Sequence, residues 1–308
     1  YLRPHYVTLE QDGVNAHSSL YGQLPNLLVN ASSEHIKHSL DIKPNFKRRI
    51  YYAIRYYANM QFSKPWFQQY AHHRPRPYWQ EATAWLKGWY TKHTRRMPDA
   101  QLQKRLIQQH SGHIHLVPLQ VADDYQIRTH SDFPDVSAAV QYILDSFAKH
   151  SSTSDVLVFK HHPMDRGYTN YTQLINAQAA KLGIKHRVFY GFELSLPDLY
   201  KHCKGVVTVN STVGLSALFH HVPTITLGKA LYDVPGLTSQ CTLNEFWQAP
   251  EPVDTTLFKQ FRAFLLARTQ INGSFYTQHA QTCHHVWQHL LQYATPSIAQ
   301  KKLLQPIA

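Results

Sequence analysis

The chain has 308 residues, 43% of them hydrophobic, enough to bury the core of one large domain or two ordinary ones and too apolar for gross disorder. Its net charge of +12 sits almost wholly in one stretch, since Lys43–Met97 holds twelve Lys and Arg against a single acid, Glu81, a net of +11. No apolar run reaches the roughly 18 residues of a membrane span, and YLRPHYVTLE does not read as a signal peptide.

The chain opens on Tyr1 rather than an initiator methionine, as expected of a processed product or a fragment. Tyr1–Leu20 mixes β-like alternation with turn residues at Gln11-Asp12-Gly13, and predicts a strand, a turn and a loop, with Glu10 and Asp12 at the turn. Those two acids are either an ordinary polar hairpin tip or carboxylates presented to a cleft. Lys43–Met97 predicts two or three helices broken near Pro65 and at Pro75/Pro77. In the first, Phe46, Ile50, Ile54 and Tyr57 recur at helical spacing. Trp66, Phe67, Tyr78, Trp79, Trp85, Trp89 and Tyr90 continue the aromatic theme. Three readings stay open: core aromatics under a solvated basic face, a surface for anionic membrane, or stacking rings for nucleic acid.

Beyond Arg105, strand and helix patterns alternate with short connections. Strands are expected at His113–Gln120, Val156–Lys160, Arg187–Tyr190, Val206–Val209 and Thr224–Leu227, with helices at about 136–149, 171–182, 197–202 and 212–220. Continuous Val/Ile/Leu runs mark strands buried on both faces, so the pattern predicts a parallel sheet with helical crossovers. The tail Leu257–Gln292 is expected to be mostly helical and to cover the sheet, and a domain boundary is placed at 107/108.

Ligands of such sheets sit beyond the carboxyl ends of the strands. Two strand ends carry the chemistry. His161, His162 and Pro163 leave the strand ending at Lys160; Asn210, Ser211 and Thr212 leave the strand ending at Val209. Unpaired N–H groups and small hydroxyl side chains at the following helix suit a phosphate-sized anion, or Ser211 and Thr212 only cap that helix. An imidazole there would assist a departing phosphate by charge stabilisation or by proton donation. Gln120 and Asp124 close another strand end. The loop Gly228–Thr238 offers Tyr232 for stacking and Asp233 for hydroxyls, or is a plain connection. No GxGxxG, P-loop, HExxH or GxSxG pattern occurs, so dinucleotide, P-loop, metal and serine-hydrolase chemistry have no motif here. Cys203, Cys241 and Cys283 are too scattered for a disulfide framework or a CxxC site, which points to a reducing compartment.

Five stretches together, YLRPHYVTLEQDGVN, VPLQVADDYQI, VFKHHPMDRGY, VVTVNSTVGLSAL and GKALYDVPGLT, closely resemble the KpsS type of capsule polysaccharide proteins from Tyr1 to about Phe246. The resemblance implies an α/β, GT-B-like glycosyltransferase of two facing Rossmann-like domains. The C-terminal domain, 108–308, would be complete; the N-terminal, acceptor-side domain would be only partly present at 1–107, because family members carry an acidic Glu-Gly element and about half a domain before YLRP. It implies transfer of Kdo from CMP-Kdo to phosphatidylglycerol or its lyso form, with no metal or other cofactor. His162-Pro163 would contact the CMP phosphate, with His161, Asn210, Ser211 and Thr212 beside it and Gln120, Tyr232 and Asp233 on sugar or base. Retention at the anomeric carbon calls for a carboxylate nucleophile, and Glu10 and Asp12 are the candidates in the matching motif. The implied partners are an anionic phospholipid acceptor and other capsule proteins, not nucleic acid, at the cytoplasmic face of the membrane. Two rivals remain: a non-catalytic export partner that binds the lipid-linked polymer through Lys43–Met97, and a transferase of another CMP-sugar such as CMP-sialic acid.

Overall fold

The computed structural model describes residues 6–10, 12–24, 46–63, 65–70, 78–275 and 277–293. The YLRP stretch and the helix break expected at Pro75/Pro77 lie outside them. The chain forms two compact units. The larger comprises 11–31 and 71–261; the smaller comprises 1–10, 32–70 and 262–308. The division does not fall at 107/108, because one helix, Tyr78–His110, runs through that point and buries Leu106 in the larger unit's core.

In the smaller unit, strand β1 (Tyr6–Thr8) pairs antiparallel with β7 (Gln270–Asn272), Val7 opposite Ile271. The partner of β1 thus comes from the far end of the chain. Helix α1 (Phe46–Ser63) keeps Ile50, Ala53, Tyr57 and Met60 partly buried, while Ile54, expected on the same face, is 58% exposed. A 3.6-residue repeat places Ile54 some 40° beyond Ile50, at the margin of that face.

The larger unit holds helix α2 (Tyr78–His110) and then β2 (Ile114–Pro118), α3 (Tyr125–His130), α4 (Val136–His150), β3 (Val156–Lys160), α5 (Thr172–Lys181), β4 (Val188–Gly191), α6 (Leu196–Tyr200), β5 (Cys203–Thr208), α7 (Val213–Phe219), β6 (Thr224–Thr226) and α8 (Leu243–Phe246). Helix α9 (Thr255–Arg268) continues into the smaller unit, followed by β7 and α10 (His279–Tyr293). From Arg262 the tail thus belongs to the two-stranded unit.

The five strands form one parallel sheet in the order β4-β3-β2-β5-β6. Successive residues point to opposite faces. Val117, Phe159 and Val207 pack with Val140, Phe147 and Ile175 on one side, whereas Leu116, Val158 and Val206 pack with Leu106, Leu199 and Ala217 on the other. Both faces are covered, which is why the strands read as unbroken apolar runs.

The amino edge of the sheet is held by buried Asp155. Its Oδ2 accepts from Lys204 Nζ at 2.8 Å and lies 3.4 Å from His115 Nε2, and its Oδ1 lies 3.2 Å from His113 Nδ1. Burial alone would raise the Asp155 carboxyl; hydrogen bonds from His115, Lys204 and His113 hold it well below the usual carboxylate range. Burial pushes His115 down and keeps it neutral, so Lys204 supplies the charge.

Candidate functional site

Strands β2, β3 and β4 step in one direction across the sheet, and the chain then crosses back to lay β5 and β6 on the other side of β2. The β2/β5 boundary is therefore the topological switch point, where ligands of open α/β sheets bind beyond the strand ends. Because β3 and β5 flank β2, their carboxyl ends lie two strand spacings, about 10 Å, apart. His161, His162 and Pro163 leave one end, Asn210, Ser211 and Thr212 the other, and Gln120 follows the strand between them.

On the β3 side, His162 begins the 3-10 turn Pro163–Asp165, and its Nδ1 accepts from Met164 N at 3.1 Å. Burial, with the Lys160 ammonium next, pushes this ring down to about 4. At neutral pH His162 is uncharged, and with Nδ1 accepting, its proton sits on Nε2. Of the two roles expected for an imidazole here, charge stabilisation through a neutral Nε2–H donor fits this state, and proton donation from an imidazolium does not. Pro163 has no N–H to donate and fixes the turn.

His161 is buried, with Nδ1 2.6 Å from the Tyr190 hydroxyl and its ring 4.5 Å from that of Phe192. Burial, then the neighbouring Lys160 and Arg166 charges, lowers it to about 4. It braces the site from beneath. Lys160 is buried, donates to His161 O at 3.1 Å and is pushed by burial down to about 8.

On the β5 side, Ser211 Oγ accepts from Val213 N at 3.2 Å, and Ser211 N donates to Thr208 Oγ1. The capping reading thus describes the Ser211 oxygen in this structure. Thr212 is exposed, and its side chain makes no capping bond. The turn is backed by Tyr232, which is buried and donates to Ser211 O. A Cβ on Gly214 would stand 2.2 Å from the Tyr232 hydroxyl, so only glycine lets the phenol lie under the start of α7. Tyr232 is therefore a strut and not a stacking surface, a correction to its sequence reading. Asp233 likewise works within its own loop, accepting from Thr238 Oγ1 at 2.7 Å and Gln240 Nε2 at 3.3 Å.

Between the two ends, Gln120 Nε2 donates to Asn210 Oδ1 at 3.0 Å and to Asp124 Oδ2 at 2.9 Å. Asn210 Nδ2 donates to Gln126 O at 2.8 Å. Gln120 and Asn210 are both buried, so these amides form the polar floor of the crevice and direct little toward a ligand, unlike their sequence reading. Glu10 falls in the smaller unit and the exposed Asp12 in the larger.

Two residues escaped sequence reading. Buried Asp165 accepts from Ala122 N at 3.1 Å and from Thr169 Oγ1, tying the β2 end to the β3 loop; burial raises its carboxyl. Buried Asn15, at φ +52°, donates to Gln126 Oε1 at 2.8 Å and accepts from Leu231 N at 3.3 Å. Asp165 had a signal in the HHPMD run at a strand end; Asn15 had none beyond the tolerance of asparagine for left-handed backbone.

A family model described as "Capsule polysaccharide biosynthesis protein" matches residues 1–276. The chain is 38% identical over 282 residues to the capsule polysaccharide export protein KpsS of Escherichia coli, covering 90% of this chain and 71% of that protein. It is 39% identical over 290 residues to the capsule polysaccharide modification protein LipB of Neisseria meningitidis serogroup B, covering 90% and 67% respectively. Among solved structures it is similar to Thermosulfurimonas dismutans KpsC, described as a beta Kdo 2,7 transferase, at 18% identity and a TM-score of 0.38, over 56% of this chain and 52% of that one. A family model spanning most of the chain and relatives near 40% identity lead to one conclusion: the chain belongs to the capsule polysaccharide biosynthesis family.

Proposed function

We propose that the larger unit is the donor-binding part of a GT-B-type, retaining β-Kdo transferase, which moves Kdo from CMP-Kdo to a phosphatidylglycerol or lysophosphatidylglycerol acceptor without a metal. The observation that carries the reading is the sheet order, which sets the polar ends of β3 and β5, with a neutral His162 after one and the Ser211–Thr212 turn after the other, on either side of β2 at the switch point. In this reading the His162 Nε2–H and the Thr212 hydroxyl donate to the phosphate of CMP. As the bond from the anomeric carbon to the phosphate oxygen breaks, its electron pair stays with CMP, and these donors offset the developing charge. Retention by double displacement has a carboxylate take the anomeric carbon first; an acceptor hydroxyl then displaces that carboxylate and gives its proton to the released CMP phosphate. Glu10 and Asp12 stand as the carboxylates proposed for that step. Other capsule proteins are the proposed partners, and the cytoplasmic face of the membrane the proposed location.

The test is turnover of the full-length protein with CMP-Kdo and phosphatidylglycerol vesicles. Formation of a Kdo-lipid that disappears in His162→Ala, with CMP raising the melting temperature of the wild type more than UDP or GDP, supports the reading. No product from any intact version favours a non-catalytic export partner, a stronger response to UDP or GDP overturns the CMP assignment, and product only with CMP-sialic acid changes the sugar.

A further inference from the structure

Lys160 is the last residue of β3 and is only 7% exposed, yet among the described residues no carboxylate pairs with it. An ammonium has three N–H groups to place. One goes to His161 O at 3.1 Å, which brings Nζ level with the first residue beyond the strand; among the described residues the other two have no partner. The acids that face it are engaged elsewhere. Glu193, just beyond β4, pairs with Arg166, and Asp99 Oδ2, on α2, accepts from Phe192 N and Glu193 N, each at 2.7 Å. Buried charges are ordinarily paired, because only a close counter-charge offsets the loss of water around an ammonium. The opposite edge of the same sheet shows the ordinary arrangement, where Lys204 Nζ lies 2.8 Å from the buried Asp155 carboxylate.

Two residues beyond Val158, Lys160 shares that residue's face of the sheet, the one that packs against Ala217 of α7. Helix α7 is the helix that follows the Ser211–Thr212 turn, so the ammonium and the turn belong to the same side of the sheet's carboxyl edge. Lys160 also stands close to both rings after β3: after burial, its charge is the largest influence lowering His162, and it helps to lower His161. Of the two cations here, Arg166 is held by Glu193 and by Pro163 O, which leaves the charge of Lys160 uncommitted. We infer that Lys160 is an anion-binding residue of the donor site, its ammonium taking an oxyanion of the nucleotide sugar: the phosphate, or the carboxylate that Kdo carries on the same anomeric carbon. A lysine with a purely structural task would be matched to an acid, as Lys204 is, or replaced by an apolar residue in a strand that otherwise reads VLVF. With His162 neutral and Thr212 a hydroxyl, Lys160 brings the full positive charge that a dianionic donor calls for. The inference rests on the donor-site reading for where the anion sits, and adds the residue that neutralises it.

The experiment compares the full-length wild type with Lys160→Met, which keeps an unbranched stem and removes the charge. Without ligand the variant should melt at the same temperature or higher, because a buried unpaired ammonium is gone; loss of a structural bond would lower it. Calorimetric titration at pH 7, without acceptor, should show CMP-Kdo bound at least about tenfold more weakly by the variant. An equal loss for CMP places the ammonium on the phosphate, and an unchanged CMP affinity places it on the sugar carboxylate. Wild-type affinity should fall by about tenfold per pH unit above about 8, where the ammonium loses its proton, and Lys160→Met should lack that fall. The charged and titratable groups facing Lys160 are Arg166, Glu193, Asp99, His161 and His162, and both rings are already neutral in that range. A wild type that binds UDP and not CMP fails the donor reading alone, and the comparison is then made with UDP. The inference is overturned if Lys160→Met melts below wild type, binds both ligands as tightly or keeps the wild-type pH profile, or if the wild type binds none of these nucleotides.

Discussion

Gln120 and Asn210, ninety residues apart in the chain, hydrogen-bond across the boundary where the sheet reverses direction: Nε2 to Oδ1 at 3.0 Å, and Asn210 N to Gln120 Oε1 at 3.3 Å. Each is buried, and each uses its remaining polar atoms on a neighbouring loop. The pair therefore joins β2 to β5 at the point where a ligand would arrive, and makes the floor of the crevice polar without leaving it open. Replacing Asn210 by Ala strands the Gln120 amide and the Gln126 carbonyl in a buried setting, a cost of about 2–3 kcal/mol. Urea unfolding should show this loss. An Asn210→Ala protein as stable as wild type would mean that the two amides are not bonded in solution.

Gly214→Ala tests the strut under the Ser211 turn. Alanine is the better helix former by roughly 1 kcal/mol, yet its Cβ would collide with the Tyr232 hydroxyl. The clash outweighs the propensity because the ring is buried and cannot swing clear. A net loss of about 2 kcal/mol or more is expected. Tyr232→Phe should cost only about 1 kcal/mol, the worth of its bond to Ser211 O. A stabilised Gly214→Ala would show that the phenol lies elsewhere.

If His162 acts as a neutral Nε2–H donor, His162→Ala should lower kcat by about 10²–10³, the range for loss of one preorganised donor. His162→Gln, which keeps an N–H near that position, should recover part of it. The ring is already neutral above a pH of about 4, so kcat/KM of the wild type should show no descending limb from His162 between pH 6 and 8. Such a limb, present in wild type and absent in His162→Gln, would point to an imidazolium and a proton-donating role.

Stability should fall on mild acidification. His161 titrates near 6.5 in the unfolded chain and is pushed by burial down to about 4 in the fold, so between those values only the unfolded state takes up its proton. Its full contribution is present above about pH 6.5 and is lost as pH falls toward 4, on the order of 1–2 kcal/mol at pH 5. Asp155 adds a second loss at lower pH: its depressed carboxyl contributes fully above its unfolded value near 4 and loses that contribution below it. Urea unfolding of wild type and His161→Gln at pH 7 and pH 5 separates the two. The variant should lose less than wild type between those pH values, even if it starts less stable; identical losses would rule out a buried neutral His161.

The strands and their parallel, two-sided packing were legible in the chain because burial on both faces favours apolar residues at successive positions, and VLVF or VV in GVVTV shows this within a few residues. The paired strand ends His161–Pro163 and Asn210–Thr212 could be named for the same reason, since polarity returns abruptly where the sheet stops. The basic aromatic segment was legible in composition alone, but which rings are bare was not: Glu81 and Trp79 lie two residues apart in one helix, one packed and the other solvent-facing.

Tertiary structure decided the rest. Tyr232 looked like a stacking ring until its close approach to Gly214 showed it to be a strut. Gln120 and Asn210 looked like ligand contacts until burial paired them. The partner of β1 was decided by residues 270–272 and not by the adjacent turn, and helix α2 ran on through the expected boundary because Leu106 had a core to fill. Local sequence by itself determines periodicity, because a side chain's face depends only on its near neighbours in the chain. Which polar groups remain available to a ligand depends on hydrogen-bond partners distant in sequence, and those are assigned only when the buried groups find one another.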